Sequence, residues 1–300
     1  MTLQEISAFA AVVETGSVGA AARRLHLTQP AVSRRLQSLE DSLGELLLDR
    51  HSKPPKPTAA GRRAYGLARR LLAAADDLKL AFGAPETGGE FRFGATPRLT
   101  ELVLAEVIAQ LRRDHPKWEL HASTGWSDPL LERVLAGTLD AAALSLPLDF
   151  QPPAGVEARR LGVLGGCVVA ARSERLPSAL ALEGLAGRGW ILNNDGCSLR
   201  GTLQQAFKAR GLPFEVAAEA AGADLQLSLV AGGAGLGFVT EGVLQRSPLR
   251  KKLRRVEVRD FKPKLGAWLA FRPGSSRFQG LLESLRGALE RSLASSRGPA

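Results

Sequence analysis

The stretch "LTQPAVSRRLQSLEDSLG", Leu27 to Gly44, sets Val32, Leu36, Leu39 and Leu43 at helical spacing, with Gln29, Ser33, Arg34 and Gln37 on the other side. Thr28 stands where an N-cap belongs, and Pro30 falls in the first turn, where a missing N–H costs nothing. Upstream, "VGAAARRLHL" reads as a short helix after Ser17, and its Ala20 and Ala21 allow another helix to approach closely. Before it, Leu3, Ile6, Phe9, Ala10 and Val13 share one helical face that ends at Gly16. Two short helices joined by a tight turn, the second presenting Gln, Ser and Arg, make a helix-turn-helix whose second helix can enter a DNA major groove. Gln can bond adenine and Arg can bond guanine through two hydrogen bonds each, while Ser reaches base or phosphate. Taken alone, the same stretch is equally an amphipathic helix with a solvated polar face.

The rest of the chain narrows the choice. At 300 residues it has material for two or three folded units, and 45% hydrophobic with 23% charged residues is ordinary for a globular protein. The net charge of +10 draws polyanions, nucleic acid first, with an anionic membrane surface or simple solubility as alternatives. No apolar run is long enough for a spanning helix, and the N-terminus lacks the basic start and cleavage site of a secretory signal, so a cytoplasmic protein with no membrane partner is expected. Cys167 and Cys197 cannot form a disulfide framework or a four-ligand zinc site, which suits a reducing compartment.

After Gly44, "LGELLLDRHSKPPKPTAAG" spaces Arg50, Lys53 and Lys56 among prolines, as a short basic hairpin gripping the DNA backbone would. Together, "FAAVVETGSVGAAARRLHLTQPAVSRRLQSLEDSLGELLLDR" and "PTAAG" resemble the N-terminal winged helix-turn-helix of LysR-type transcriptional regulators across roughly the first sixty residues. Leu48 stands where that family usually has Phe, and Pro57 where it usually has Leu; both are packing positions. By matched position, the resemblance implies that Gln29, Pro30, Ser33 and Arg34 read DNA while Thr28, Arg35, Arg50 and Lys53 face phosphate. It implies a DNA-binding domain over 1–58, a linker helix over 59–83, a hinge over 84–90 and an effector-binding domain over 91–300.

On the linker helix, Ala64, Ala68, Leu71, Ala75, Leu78 and Phe82 repeat at spacings of 4, 3, 4, 3 and 4, a seam that wants a partner helix. Packing against the chain's own domain is the alternative, and the resemblance favours a dimer or tetramer. Beyond the hinge, short apolar runs alternate with helical stretches, which indicates an α/β parallel sheet. A second series follows "LGVLGGCVVAARS", and "KLGAWLAFRP" returns to the first half. The expected fold class is therefore multi-domain: an all-α winged helix-turn-helix with a long linker helix, then an α/β effector domain of two Rossmann-like subdomains. The subdomains span about 91–161 with 266–300, and about 162–265.

Ligands of such folds sit at carboxyl ends of strands beside helix N-termini. Those ends carry Thr96, Pro97 and Arg98; Ser123 and Thr124; Asn193, Cys197 and Ser198; and Thr240. Hydroxyls and one Arg suit a small anion such as a carboxylate, although each hydroxyl taken singly is equally a helix cap. Cys197 at a helix N-terminus could sense oxidants, but Cys167, its candidate resolving partner, sits on a different apolar strand run, and a plain small residue in the cleft loop is the simpler reading. Trp126 lines the cleft or simply packs, and residues 249–259 could form a second polyanion patch. No P-loop, nucleophile elbow or zinc-protease motif occurs, and the four histidines have no ligand spacing, so no enzyme, cofactor or metal site is expected. The sequence thus reads as a LysR-type regulator binding an operator and an anionic effector, with RNA polymerase as a further partner. A thiol-based redox sensor using Cys197 and a plain solute-binding protein are the alternatives.

Overall fold

The computed structural model describes residues 1–49, 52, 54–82, 88–177, 179–274 and 276–295. Three helices lead: α1 (Leu3–Thr15), α2 (Val18–Arg24) and α3 (Gln29–Leu43). Each begins at a hydroxyl that accepts from its first turn: Thr2 from Glu5, Ser17 from Ala20, Thr28 from Ala31. Gly16 and Gly44 end α1 and α3 in the left-handed region, at φ 65° and 68°. Phe9, Val12, Ala21, Val32, Leu36 and Leu39 form their common core.

Strands β1 (Leu48–Asp49) and β2 (Lys56–Pro57) then pair antiparallel as a short wing. Glu40, buried on α3, fixes the chain entering that wing by accepting the amides of Leu47 and Leu48 at 2.8 and 3.3 Å. Helix α4 (Ala59–Ala81) follows without a break, started by Thr58, whose hydroxyl accepts from the Gly61 amide.

The remainder is built on β3 (Gly89–Ala95), α5 (Pro97–Asp114), β4 (Trp118–Thr124), α6 (Ser127–Leu135) and β5 (Ala141–Leu146). Next come β6 (Glu157–Ala171), β7 (Ala179–Leu180), β8 (Gly189–Leu192), α7 (Ser198–Ala209), β9 (Glu215–Glu219), α8 (Ala223–Ala231), β10 (Leu236–Thr240), α9 (Glu241–Arg246), β11 (Leu253–Val258), β12 (Lys264–Phe271) and α10 (Gln279–Ser295). Strands run β4-β3-β5-β12-β6-β10-β8-β9 in one curled sheet, with β11 beside β6. The expected parallel pairing holds within each half, at β3–β4, β3–β5, β8–β9 and β10–β8. At the centre, β12 and β6 are antiparallel to their neighbours, so the sheet is mixed.

The 15-residue β6 makes two halves from one sheet. Its first part pairs with β12 up to Gly165, and its second pairs with β10 from Gly166. The first half packs α5 over β3 and β4 and α10 against α5 and β6, and Phe91 and Trp118 each meet Phe278 at a ring-centroid distance of 5.3 Å. The second packs Trp190 against Phe207 and Phe214. The basic run 249–259 is not one continuous patch: Leu253, Val256 and Val258 of β11 are buried, and Arg255 pairs with Glu241 and Glu257.

Candidate functional site

The polar side of α3 is open. Thr28, Gln29, Pro30, Ser33, Arg34 and Gln37 are exposed, and the Thr28 hydroxyl is shared with the cap of the helix. Their spacing follows from the leucine side: Val32, Leu36 and Leu39 face α1, leaving the residues between them at about 100° steps to face solvent. The approach to α2 is tight at Gly19, where an added Cβ would lie 2.8 Å from the Gln29 amide nitrogen. The turn before Thr28 is closed by His26 at φ 53°, a left-handed position that glycine more often fills.

Arg35 departs from its expected phosphate-facing place. It is half-buried and donates to the Gln4 side chain at 3.0 Å, because its position on α3 turns it back toward α1 and a cavity of about 450 Å³ between the head and α4. Arg50 and Lys53 lie outside the described residues.

The expected seam on α4 splits in two. Ala64 and Ala68 pack into the head's core, and Ala75 lines the cavity behind it, so these three face their own chain. Leu71, Leu78 and Phe82 are exposed, and Leu67, which the heptad reading passed over, is exposed with them. The helix leans on its own effector domain instead: an added Cβ at Gly66 would fall 2.3 Å from the Ala136 carbonyl oxygen. One turn on, Arg69 donates to both oxygens of Asp140 at 2.9 and 3.2 Å, and Asp140 also accepts the Arg92 amide at 2.7 Å. Burial alone would lower the Arg69 pKa, and the Asp140 carboxylate, with Tyr65 and Glu14 behind it, more than offsets this and holds it above its ordinary value.

Around this contact Arg24 pairs with Glu14 at 2.8 Å and with Glu90, while Arg92 pairs with Glu14 at 2.7 Å and with Glu90. Glu90, Glu119 and His121 bring ligand atoms within 4.8 Å of one another, but the two guanidinium groups on Glu90 oppose a cation there. None of this junction was marked by spacing. The available signal was Gly66 inside a helix, where glycine costs about 1 kcal/mol against alanine and therefore needs a packing reason.

Between the two halves of the sheet lies a cleft. Thr96, Pro97, Arg98, Asn193, Cys197, Ser198 and Thr240 all line it, joined by Trp126, Ser127 and Ser145. Ser123 and Thr124 do not: β4 ends one strand too far out, Ser123 accepts from Arg133, and Thr124 meets Thr100 at the surface. Asn193 is occupied structurally, donating to Gln226 at 3.1 Å and accepting the Gly222 amide at 3.0 Å. The capping alternative fails for Thr96 and Thr240, whose side chains make no cap hydrogen bond. Instead, Thr96 meets Ser145 at 3.2 Å, and Thr240 meets the Arg98 guanidinium at 3.5 Å.

Contacts among the described residues cross the cleft. Arg98 reaches Thr240, Ser198 donates to the Ser145 carbonyl at 2.6 Å, and Trp126 packs over Gly196. Gly196 sits at φ 90°, and a Cβ there would meet the Trp126 ring at 2.9 Å, so both the turn and the indole require glycine. Cys197 is half-buried at the N-cap of α7, while Cys167 is buried on β6, where burial pushes its thiol up to about 12.

Two family descriptions match this chain: residues 3–62 match the bacterial regulatory helix-turn-helix protein of the lysR family, and residues 84–290 match the LysR substrate binding domain. Among similar proteins is a hydrogen peroxide-inducible genes activator of Pectobacterium carotovorum subsp. carotovorum, 27% identical over 95% of this chain and 96% of its own length. The DNA-binding transcriptional dual regulator OxyR of Escherichia coli K12 is 28% identical over 97% and 96%. Of solved structures, a full-length OxyR variant from Pseudomonas aeruginosa aligns with TM-score 0.79 at 22% identity, covering 96% of this chain and 94% of that one. CbnR in complex with its target DNA aligns with TM-score 0.57 at 24% identity, covering 97% and 100%.

Proposed function

The chain belongs to the LysR family of bacterial helix-turn-helix regulators, and on that premise we propose how its parts divide the work of a transcription factor. Residues 1–58 hold DNA, 59–83 join protomers and 91–300 bind a small anionic effector; of the expected hinge 84–90, residues 84–87 lie outside the described residues, and Gly89 and Glu90 already belong to β3, so the effector domain begins there. Gln29, Pro30, Ser33 and Arg34 read base edges in the major groove, and the carrying observation is that α3 presents them side by side and exposed while its leucine side is buried. Thr28, Arg50 and Lys53 serve phosphate. The protein acts as a homo-oligomer, so that two heads meet two half-sites, and the exposed stripe of Leu67, Leu71, Leu78 and Phe82 is the pairing seam.

Effector entry changes closure of the two halves about β6. Because α4 rests on the first half through Gly66 and Arg69, motion of the second half is felt at the oligomer contacts and then at the paired heads. No helix among the described residues is long and apolar enough to cross a membrane, and the site of action proposed is the cytoplasm, where operator and RNA polymerase are found. The role is regulatory rather than enzymatic.

The deciding experiment compares binding to the protein's own upstream intergenic DNA with binding to random DNA of equal length at two salt concentrations. Preference that persists at higher salt supports a sequence-specific regulator, and equal, steeply salt-sensitive binding would leave only a basic surface. A second reading rests on Cys197, which lines the cleft at a helix N-terminus, and on relatives named hydrogen peroxide-inducible genes activator. Under that reading, peroxide changes operator binding in the wild type and not in Cys197→Ser.

A further inference from the structure

The cleft holds one ionisable group besides the Cys197 thiol. Arg98 is 8% exposed, and its sole polar contact among the described residues is the long one to Thr240. The other deeply buried arginines are neutralised: Arg69 by Asp140, and Arg200 by Glu219 at 2.7 Å and Asp195 at 3.2 Å. Glu241, which follows Thr240, is itself engaged by Arg255 at 3.1 Å. A guanidinium this little exposed, with no counter-charge among the described residues, is costly, and an anionic ligand is what removes that cost.

Two longer helices add to this from opposite halves. Helices α5 and α7 point their N-termini at the cleft, and neither Thr96 nor Cys197 caps its helix with its side chain. In the head, by contrast, α1, α2 and α3 are all capped by hydroxyls. The amides left open beside Arg98 favour negative charge. The free space within the cleft is small, about 30 Å³, where one water needs about 10–15 Å³.

We propose that the effector is a short-chain monocarboxylate of two or three carbons, held by Arg98 from one half and by the open N-terminus of α7 from the other. One buried cation specifies one negative charge. A dicarboxylate would bring a second charge that meets no second cationic side chain in the cleft lining, and an aromatic ring does not fit while Ser198 and Trp126 keep the cleft closed. Planar, two-oxygen recognition by a guanidinium distinguishes a carboxylate from chloride. Bound there, the ligand replaces the 3.5 Å contact of Arg98 to Thr240 with a stronger link across the cleft, and so favours the closed arrangement.

This inference rests on the regulator reading, and its test separates the two. Calorimetric titration of the full chain uses acetate and lactate as probes, with acetamide, succinate, benzoate and sulfate as comparators, on samples whose operator preference is measured in parallel. Acetate or lactate should bind and acetamide should not. Arg98→Gln should weaken binding about 10- to 150-fold, the range for a hydrogen bond to a charged group, and Arg98→Lys should recover part of the loss. The ligand-free Arg98→Gln protein should melt no lower than wild type, because an uncompensated buried charge has been removed; a lower melting temperature would show Arg98 to be a structural cation and overturn the proposal. So would tighter binding of succinate, benzoate or sulfate than of either probe, or equal binding by Arg98→Gln. Operator preference with no response to either probe sinks the ligand class alone, and loss of operator preference sinks the regulator reading whatever the titration gives.

Discussion

Changing Asp140 to Asn tests whether the linker helix is locked to the effector domain by charge. The Asp140 carboxylate is 1% exposed and Arg69 10%, so both charges are withdrawn from water and each depends on the other. Asparagine keeps an acceptor for the Arg92 amide, now 2.7 Å from Asp140, and removes only the negative charge. Breaking one partner out of a buried pair costs about 3–5 kcal/mol, because the remaining charge stays buried and unpaired. For a folded unit of about 150–250 residues each kcal/mol moves Tm by about 2–4 °C, so a fall on the order of 10 °C is expected for the effector-domain transition. Adding Arg69→Met in the same chain removes the stranded cation and should recover most of the loss. Thermal melts of the full chain, followed by circular dichroism, compare wild type with the single and double variants. If Asp140→Asn shifts Tm by less than about 2 °C, or if Arg69→Met deepens the loss instead of reversing it, the ion pair is not what holds α4 in place.

Arg34→Ala should weaken binding to the cognate operator by about 1–3 kcal/mol while leaving random DNA nearly unaffected, and equal loss on both would make Arg34 a phosphate contact. Gly66→Ala places a methyl 2.3 Å from a backbone oxygen that cannot swing aside; α4 should detach from the effector domain, read as faster amide exchange around Ala136 with the head's own exchange unchanged. Of the two thiols, Cys197 should react with an aromatic disulfide reagent at pH 8 and Cys167 should not. Cys167, raised from 9.0 to about 12, lends stability that is complete below pH 9 and is lost as pH climbs toward 12, and Cys167→Ala should flatten that alkaline fall.

Local patterning carried the head. Thr28, Pro30, the leucine positions and Gly44 act within one helix, so their spacing alone forecast a capped helix with an exposed Gln29–Arg34 side. The alternation of strands and helices forecast the α/β character of the second part, and most of the strand-end residues expected in the cleft do line it. Patterning missed Ser127 and Ser145, which enter the cleft because α6 starts beside the end of β5, a matter of strand order rather than residue type. It placed Ser123 and Thr124 in the cleft for the same reason, since a strand's place in the sheet is not written in its own residues.

What the sequence by itself determined is therefore everything governed by short-range periodicity and capping: the reading helix, its exposed polar side, the linker helix and the α/β class. Only the tertiary structure decided which side of α4 was free, because Ala64 and Ala68 satisfy the heptad pattern yet pack against the head's own core, while Leu67 and Leu71 stay exposed. Only it decided that Arg69 has a carboxylate and that Arg98 has none among the described residues. Both are single arginines on helices, and the difference lies in what chain comes to rest against them: Asp140, 71 residues away from the one, and Thr240, 142 residues away from the other. Charge compensation is set by through-space distance in a low-dielectric interior, and no local pattern encodes that distance.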